Sequence, residues 1–207
     1  MKKILILSGG YSKEKEISRS SAKSIYKTLK DKYKILVCEP DSEFISKIKK
    51  FKPDVVYNSL HGRFGEDGYI QALLENLKVK YTHSGVNSSS IAMDKEISKR
   101  IFIRNNIRTP KFLKLNNFDL IKDKNTLLKN IEIKLGLPVV IKPVDEESSV
   151  DVNICNKLNI IKKKKKLSSY KEVLVEKYIG GREIQVAIMG NKKLGVIELS
   201  PRRKFYD

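Results

Sequence analysis

The sequence predicts an α/β fold in which a parallel βαβ domain is followed by an α+β domain. Short, branched apolar runs alternate with amphipathic helical stripes over roughly the first ninety residues, and consecutive strands dominate the end of the chain. The chain has 207 residues and 40% hydrophobic content, which is enough to bury a core in one or two domains.

Three strands and the helices between them make up the predicted amino-terminal domain. The strands are predicted at short apolar runs, namely Ile4–Leu7, Ile35–Val37 and Val55–Tyr57. The helices are predicted from apolar stripes at helical spacing, within Ser12–Leu29, Phe44–Phe51 and Ile70–Leu77. This alternation implies right-handed crossovers and a ligand at the carboxyl ends of the strands.

A second domain is predicted to begin near Met93, which divides the chain into residues 1–92 and 93–207. Its helices are predicted from two stripes, Met93 with Ile97 and Ile101, and Leu127 with Ile131 and Leu135. Its strands are predicted at four runs, Val139–Lys142, Val173–Tyr178, Glu183–Met189 and Leu194–Leu199. Gly190-Asn191 joins the last two runs and is typical of a hairpin turn.

A net charge of +19 raises the question of a nucleic-acid or membrane partner. Most of the positive charge is Lys spread along the chain, and the dense run Lys162–Lys166 has no interleaved aromatic side chain for base stacking. No apolar run approaches the roughly 18 residues that a membrane span needs. We therefore predict no nucleic-acid partner and no membrane partner. A nucleic-acid binder stays an alternative that rests on the charge.

Cysteine placement and the amino terminus indicate the compartment. Cys38 and Cys155 lie within apolar segments, which favours reduced core thiols over a disulfide. The first apolar stretch ends at Ser8, too early for the hydrophobic region of a signal peptide. We therefore predict a cytoplasmic protein.

Polar residues follow the first and third predicted strands. Gly9-Gly10 permits close backbone approach, and Glu14 then falls in the first turn of the predicted helix. There a carboxylate either is stabilised by the helix dipole or binds an ammonium group. The run Leu60–Gly68 contains three glycines together with His61, an Arg and two acids. It is either a solvated loop or a ligand site.

The second domain offers a cation at the end of a buried strand. Lys142 ends an apolar run and is followed by a proline, a costly place for an ammonium group unless an anion is present. A lysine used as a point charge on phosphate fits this arrangement. Val173–Ile179 then places a strand edge, with Glu176, where backbone groups can pair with adenine.

Common alternatives are missing from the sequence. It contains no Gly-Lys dipeptide of a P-loop, no dinucleotide fingerprint and no Gly-x-Ser-x-Gly elbow. His61 and His83 have no partner at metal-ligand spacing, so no metal site is predicted in this chain.

These residues together resemble the D-alanine–D-alanine ligases of the ATP-grasp superfamily. The matching stretches lie at residues 9–18, 60–68, 81–86, 93–95, 140–143, 148–150, 176–179 and 205–207. They run through the whole chain but correspond to about the first two thirds of a family member. The resemblance implies a parallel βαβ amino-terminal domain followed by an incomplete α+β ATP-grasp domain.

The resemblance also implies an activity and its residues. ATP phosphorylates the carboxylate of one D-alanine, and the amine of a second attacks the acyl phosphate, in peptidoglycan precursor synthesis. Glu14 and Ser148 are implied as catalytic, and Glu14 with His61 as binding the first D-alanine. The implied ATP-binding residues are Lys95 and Lys142 at the phosphates, Glu176, Lys177, Tyr178 and Ile179 at the adenine, and Glu183 at the ribose. The family implies Mg²⁺ or Mn²⁺, whose ligands this chain does not contain, and a homodimer in the full-length form.

One departure from the family pattern keeps a second interpretation open. The phosphate loop of the family usually reads Gly-Ser-Ser-x-Gly, whereas Glu147 and Asp151 stand at the glycine positions here. Acidic side chains there disfavour phosphate binding. We favour an incomplete ligase, and the alternative is an inactive shortened relative that only binds nucleotide or D-alanine.

Overall fold

The computed structural model describes residues 1–116, 119, 124–144, 152–157, 160 and 169–200. The chain forms two compact units that divide between Ile101 and Phe102. The domain boundary near Met93 stays a prediction.

A parallel three-stranded sheet forms the first unit, as the sequence predicts. Its strands are β1 (Lys3–Leu7), β2 (Lys34–Cys38) and β3 (Val55–Asn58), in the order β2-β1-β3. Its helices are α1 (Lys15–Leu29), α2 (Phe44–Phe51), α3 (Tyr69–Asn76), α4 (Val86–Met93) and α5 (Lys95–Arg104), the last of which crosses the division between the units.

The central strand of this sheet is buried on both faces. Leu5 and Leu7 pack in one cluster with Phe44 of α2 and Ile70 of α3. The alternate residues of β1 pack in another cluster with α1. Helices therefore cover both faces, which explains why β1 reads as a continuous apolar run.

The predicted single helix through Met93, Ile97 and Ile101 is wrong. Asp94 has an extended backbone (φ −80°, ψ 105°), so α4 ends at Met93. The Asp94 Oδ1 atom accepts a hydrogen bond of 2.9 Å from the Ile97 N–H and caps α5. Ile97 and Ile101 are 44% and 36% exposed, so they do not share the buried face of Met93.

An antiparallel four-stranded sheet forms the core of the second unit. Its strands are β4 (Phe112–Asn116), β5 (Val139–Pro143), β6 (Asn153–Cys155) and β7 (Glu172–Lys177), in the order β4-β7-β5-β6. Helix α6 (Lys124–Leu135) packs its Leu127 and Ile131 side chains against one face. The strands β4 and β6 were not predicted from the sequence.

A hairpin of two antiparallel strands completes the described part of the second unit. Strand β8 (Glu183–Met189) pairs with β9 (Lys192–Leu199) around Gly190, whose φ is +58°. The predicted turn is confirmed. Every residue of β8 is exposed, including Val186 at 50%.

Two further predictions concern burial and apolar length. Cys38 and Cys155 are both buried and are not joined in a disulfide, which agrees with the predicted reduced state. Among the helices that the structure describes, none is long and apolar enough to cross a membrane.

Candidate functional site

The first candidate region begins where β1 ends. Gly9 and Gly10 adopt φ values of +73° and +87°, which favour glycine. A Cβ atom on Gly9 would lie 2.5 Å from the carboxyl carbon of Glu39, so a residue with a side chain does not fit at this position. Glu39 in turn accepts a hydrogen bond of 2.7 Å from the Arg19 guanidinium. The glycine pair therefore allows an ion pair to pack directly against the backbone.

Glu14 lies beside the loop between β3 and α3. It is the residue directly before α1 and not, as predicted, a residue of the first turn, and its side chain makes no capping hydrogen bond. Its Oε2 atom is 3.0 Å from the place of a Cβ on Gly62, whose φ is +68°. The half-buried carboxylate is thus brought against the loop that carries His61. A role as a helix cap does not explain its position.

The acids of that loop, Leu60–Gly68, are used by the loop itself. Glu66 accepts a hydrogen bond of 2.6 Å from the Gly62 N–H. Asp67 accepts two, from the N–H groups of Phe64 (2.9 Å) and Tyr69 (3.1 Å). These two carboxylates hold the loop backbone in place, so we assign them a structural role and not a ligand-binding role.

His61 is left as the polar side chain of the loop with an unused ring nitrogen. The ring is half-buried, and no group among the described residues bonds its Nε2 atom, which is shielded from solvent. A buried polar atom without a partner favours a bound ligand group. An imidazole and the nearby Glu14 carboxylate suit a small molecule that carries both an ammonium and a carboxylate group.

Two buried side-chain amides, which the sequence analysis did not identify, hold this loop by hydrogen bonds. Asn58 and Gln71 donate hydrogen bonds of 2.8 and 3.0 Å to the Gly65 carbonyl. Asn58 also accepts from the Leu60 N–H at 3.1 Å. A polar residue at the end of an apolar strand is the signal that points to Asn58, whereas nothing in the sequence distinguishes Gln71.

The second candidate region is the sheet face opposite α6. Alternation along the strands puts Val140 and Lys142 of β5 on one face with Leu174 and Glu176 of β7. The Lys142 Nζ atom lies 2.7 Å from Glu176 Oε2. Glu176 is only 7% exposed, so this is a largely buried ion pair beside the apolar side chains Val140 and Leu174. Both residues were predicted, but not their contact.

The segment after β7 is the predicted adenine edge. The Lys177 N–H donates to the Lys111 carbonyl at 2.9 Å, and the Tyr178 N–H donates to the Pro138 carbonyl at 3.2 Å. These two donors are therefore in use. No acceptor for the Ile179 N–H occurs among the described residues, which leaves that group for a ligand.

The other predicted residues begin further elements or lie outside the described ranges. Lys95 is a half-buried residue that begins α5 in the first unit. Glu183 is exposed at the start of β8. Ser148, with the neighbouring acids Glu147 and Asp151, lies outside the described residues. So does the lysine run Lys162–Lys166.

The implied divalent metal does not fit the part of the chain that the structure describes. No cluster of three His, Cys, Asp or Glu side chains is found there. A divalent ion needs several oxygen ligands at once. We therefore derive no chemical step from a metal held by these residues.

Two raised pKa values belong to groups at the edge of the first sheet. Burial raises the pKa of the Cys38 thiol to about 11. Burial, together with the hydrogen bond that Tyr81 donates to Glu75 at 2.7 Å, raises the pKa of Tyr81 to about 12. Both groups therefore hold their protons at neutral pH.

A parallel βαβ unit followed by an antiparallel sheet with a lysine–glutamate face is the arrangement expected of an ATP-grasp protein. Family comparisons agree with this class. The family described as "D-ala D-ala ligase C-terminus" matches residues 101–207, and "D-ala D-ala ligase N-terminus" matches residues 39–84. The chain belongs to the D-alanine–D-alanine ligase family.

Similar proteins cover the whole chain. A D-alanine–D-alanine ligase of Pelagibacter ubique is 61% identical over 207 residues, which are 100% of this chain and 67% of the relative. One from Wolbachia pipientis wMel is 41% identical over 99% of this chain and 63% of its own length. The chain thus spans about two thirds of the relatives that it matches.

Solved structures show the same relation. The D-alanine–D-alanine ligase from Bacillus anthracis is 34% identical, with a TM-score of 0.85 over 100% of this chain and 67% of that one. The structure of that ligase complexed with ATP has 33% identity and a TM-score of 0.83, over 99% of this chain and 68% of that one. The predicted fold class and family resemblance are confirmed.

Proposed function

We propose that the protein is the larger part of an ATP-dependent carboxylate–amine ligase that joins two D-alanines through an acyl phosphate. The product would serve peptidoglycan precursor synthesis in the cytoplasm. One observation carries the proposal beyond the family: the buried Lys142–Glu176 pair, 2.7 Å apart, lies beside apolar Val140 and Leu174 on one sheet face, in a family with an ATP-bound member. Apolar side chains beside a buried ammonium group suit a flat base joined to a phosphate chain.

The nucleotide half of the reaction needs positive charge at the phosphates. Phosphoryl transfer spreads negative charge over the phosphate oxygens, so fixed cations stabilise its transition state. Lys142 supplies one cation in this proposal, and Lys95 a second. Glu176 and the backbone up to Ile179 hold the adenine, and Glu183 accepts hydrogen bonds from the ribose hydroxyls.

The amino-acid half of the reaction falls to the first unit. Glu14 binds the ammonium group of the first D-alanine, because a half-buried carboxylate beside glycine backbone leaves room for a small cation. His61, whose Nε2 atom has no partner among the described residues, binds the carboxylate end. Ser148 closes over the reacting groups. This division assigns residues 1–92 to the first substrate and 93–207 to the nucleotide.

A chimera provides the test. The chain is extended with the part of the Pelagibacter ubique relative that lies beyond the matched region, and phosphate release is measured. We expect release when D-alanine, ATP and Mg²⁺ are all present, and none when D-alanine is omitted. Glu14→Gln abolishes release, whereas Glu16→Gln, a control at an exposed acid paired with Arg19, leaves it unchanged. A folded chimera without D-alanine-dependent release contradicts the proposal.

A second candidate is an inactive relative that only binds nucleotide or D-alanine. The acids Glu147 and Asp151 at two glycine positions of the family's phosphate loop favour it. Calorimetry on the chain as it stands would then show saturable binding of ATP or D-alanine. The chimera would bind both and release no phosphate, even after Glu147→Gly and Asp151→Gly.

The family resemblance also supports a homodimer. Light scattering on the chimera is expected to give twice the mass of one chain. A monomer at every concentration would remove this part of the proposal.

A further inference from the structure

Two ion pairs lie on the same face of β7 and differ in burial. Lys142 and Glu176 have side chains that are 23% and 9% exposed, at 2.7 Å. Lys114 and Glu172 have side chains that are 36% and 35% exposed, at 3.2 Å. Fully buried Leu174 lies between the two carboxylates along the strand. The first pair is therefore held where solvent screens it least.

An ammonium group on such a surface does not stay in place unaided. The four-carbon stem of lysine has many rotamers, and its charged end prefers water to an apolar wall. Lys142 is paired with Leu174 in the register of β5 and β7, so the residue directly opposite it on β7 carries no negative charge. Glu176 supplies the charge two residues farther along β7.

We propose that Glu176 is a positioning residue, which fixes the Lys142 ammonium group over the sheet so that it meets the phosphates of a nucleotide. This inference rests on the proposed function. Lysine has three N–H donors, and one of them reaches Glu176. The described residues offer the Lys142 ammonium group no other partner, which leaves two donors for phosphate oxygens. The exposed fraction of Lys142 leaves a path for an anion to reach them.

The positioning role differs from direct recognition of the base. If Glu176 acts only through contact with adenine, its loss weakens adenosine and ADP by the same factor. If it also positions Lys142, its loss weakens ADP by a larger factor than adenosine, because only ADP carries phosphates. The ratio of the two dissociation constants therefore separates the two roles.

Calorimetric titration of the full chain with adenosine and with ADP measures that ratio. We expect Glu176→Gln to weaken ADP about tenfold more than it weakens adenosine, the scale of one lost charged hydrogen bond. Lys142→Met gives the same pattern, and the double variant is no weaker than either single one. Glu172→Gln, which removes the neighbouring exposed pair, changes neither ligand. Glu176→Asp keeps the charge and retains part of the ADP affinity.

Acetylation of lysines, read by mass spectrometry without nucleotide, tests positioning separately. Glu176→Gln is expected to raise the labelling rate of Lys142 several-fold and to leave Lys114 unchanged, because the released side chain moves into solvent. Unchanged Lys142 labelling overturns the inference, as do equal losses for adenosine and ADP, or tighter ADP binding by Glu176→Gln. If the unaltered chain binds no ADP, the proposed function loses its nucleotide half. The labelling result still decides whether Glu176 positions Lys142.

Discussion

The two candidate regions use their carboxylates in opposite ways. In the loop Leu60–Gly68, Glu66 and Asp67 accept hydrogen bonds from backbone N–H groups, so acids shape the main chain. On the second-unit sheet, Glu176 binds an ammonium group, so an acid shapes another side chain.

This difference shows that the number of polar residues in a segment does not indicate how many of them are available to bind a ligand. The loop has the richer sequence, yet its two acids are used internally, and the groups left for a ligand are His61 and Glu14 beside it. The sheet face has one buried pair, and both members face the proposed ligand. A glycine-rich loop needs hydrogen bonds to its acidic side chains to hold its shape, whereas a strand is held by backbone hydrogen bonds to its neighbours.

The largest expected effect comes from breaking the sheet pair. Lys142→Met leaves the 9%-exposed Glu176 carboxylate without its ammonium partner, so we expect a loss of about 3 kcal/mol in the unfolding free energy of the second unit. Urea unfolding measures it. Lys114→Met breaks the more exposed pair and should cost less than about 1 kcal/mol. Equal losses in the two variants would mean that burial does not distinguish the pairs.

A smaller effect is expected at the loop glycine. Gly62→Ala places a methyl group 3.0 Å from the Glu14 carboxylate in a backbone with φ of +68°. We expect a loss of about 2 kcal/mol in unfolding free energy, of which about half is backbone strain. Gly136→Ala is the matched control, because its φ is +73° and nothing lies within 4 Å. If both variants lose the same free energy in urea unfolding, Glu14 does not press against the loop.

A still smaller loss of unfolding free energy is expected from a substitution at Glu66, an acid of the same loop. Glu66→Gln weakens the 2.6 Å hydrogen bond from the Gly62 N–H and should cost about 1 kcal/mol in urea unfolding. Glu43→Gln, at an exposed acid that lies 3.4 Å from Lys47, is the control and should cost no more than about 0.5 kcal/mol. A neutral Glu66→Gln would show that the loop does not depend on its acid.

The smallest effect at neutral pH concerns the buried thiol of Cys38. Burial raises its pKa to about 11, above the roughly 8.5 of an unfolded cysteine. Its contribution to stability is therefore complete below about pH 8.5 and is lost as the pH rises through 11. The difference in unfolding free energy between the protein and Cys38→Ala should shrink across that window. A constant difference would contradict the raised pKa.

Sequence reasoning was most reliable for elements with strong apolar patterns. The strand β1 and the hairpin β8–β9 were predicted within a few residues at their ends. Strand β4 was missed because Lys114 interrupts its apolar residues, and β6 was missed because it has only three residues. The break at Asp94 was missed because periodicity does not detect a cap.

The candidate residues were predictable, but their contacts were not. Glu14, His61, Lys142 and Glu176 were all singled out from their positions at strand or helix ends. The Lys142–Glu176 pair depends on the antiparallel register of β5 and β7, which are distant in sequence. Whether an acid such as Glu66 serves the backbone or a ligand depends on loop geometry that residue types do not specify.

Protection of lysines by ATP tests the central claim most directly. The chain is acetylated with and without ATP, and the labelling rates of Lys142 and Lys114 are compared by mass spectrometry. Because the triphosphate is expected to cover Lys142 and not its neighbour on the same face, ATP should slow labelling of Lys142 several-fold and leave Lys114 unchanged. Saturable ATP binding with an unchanged Lys142 rate would contradict a nucleotide on this sheet face.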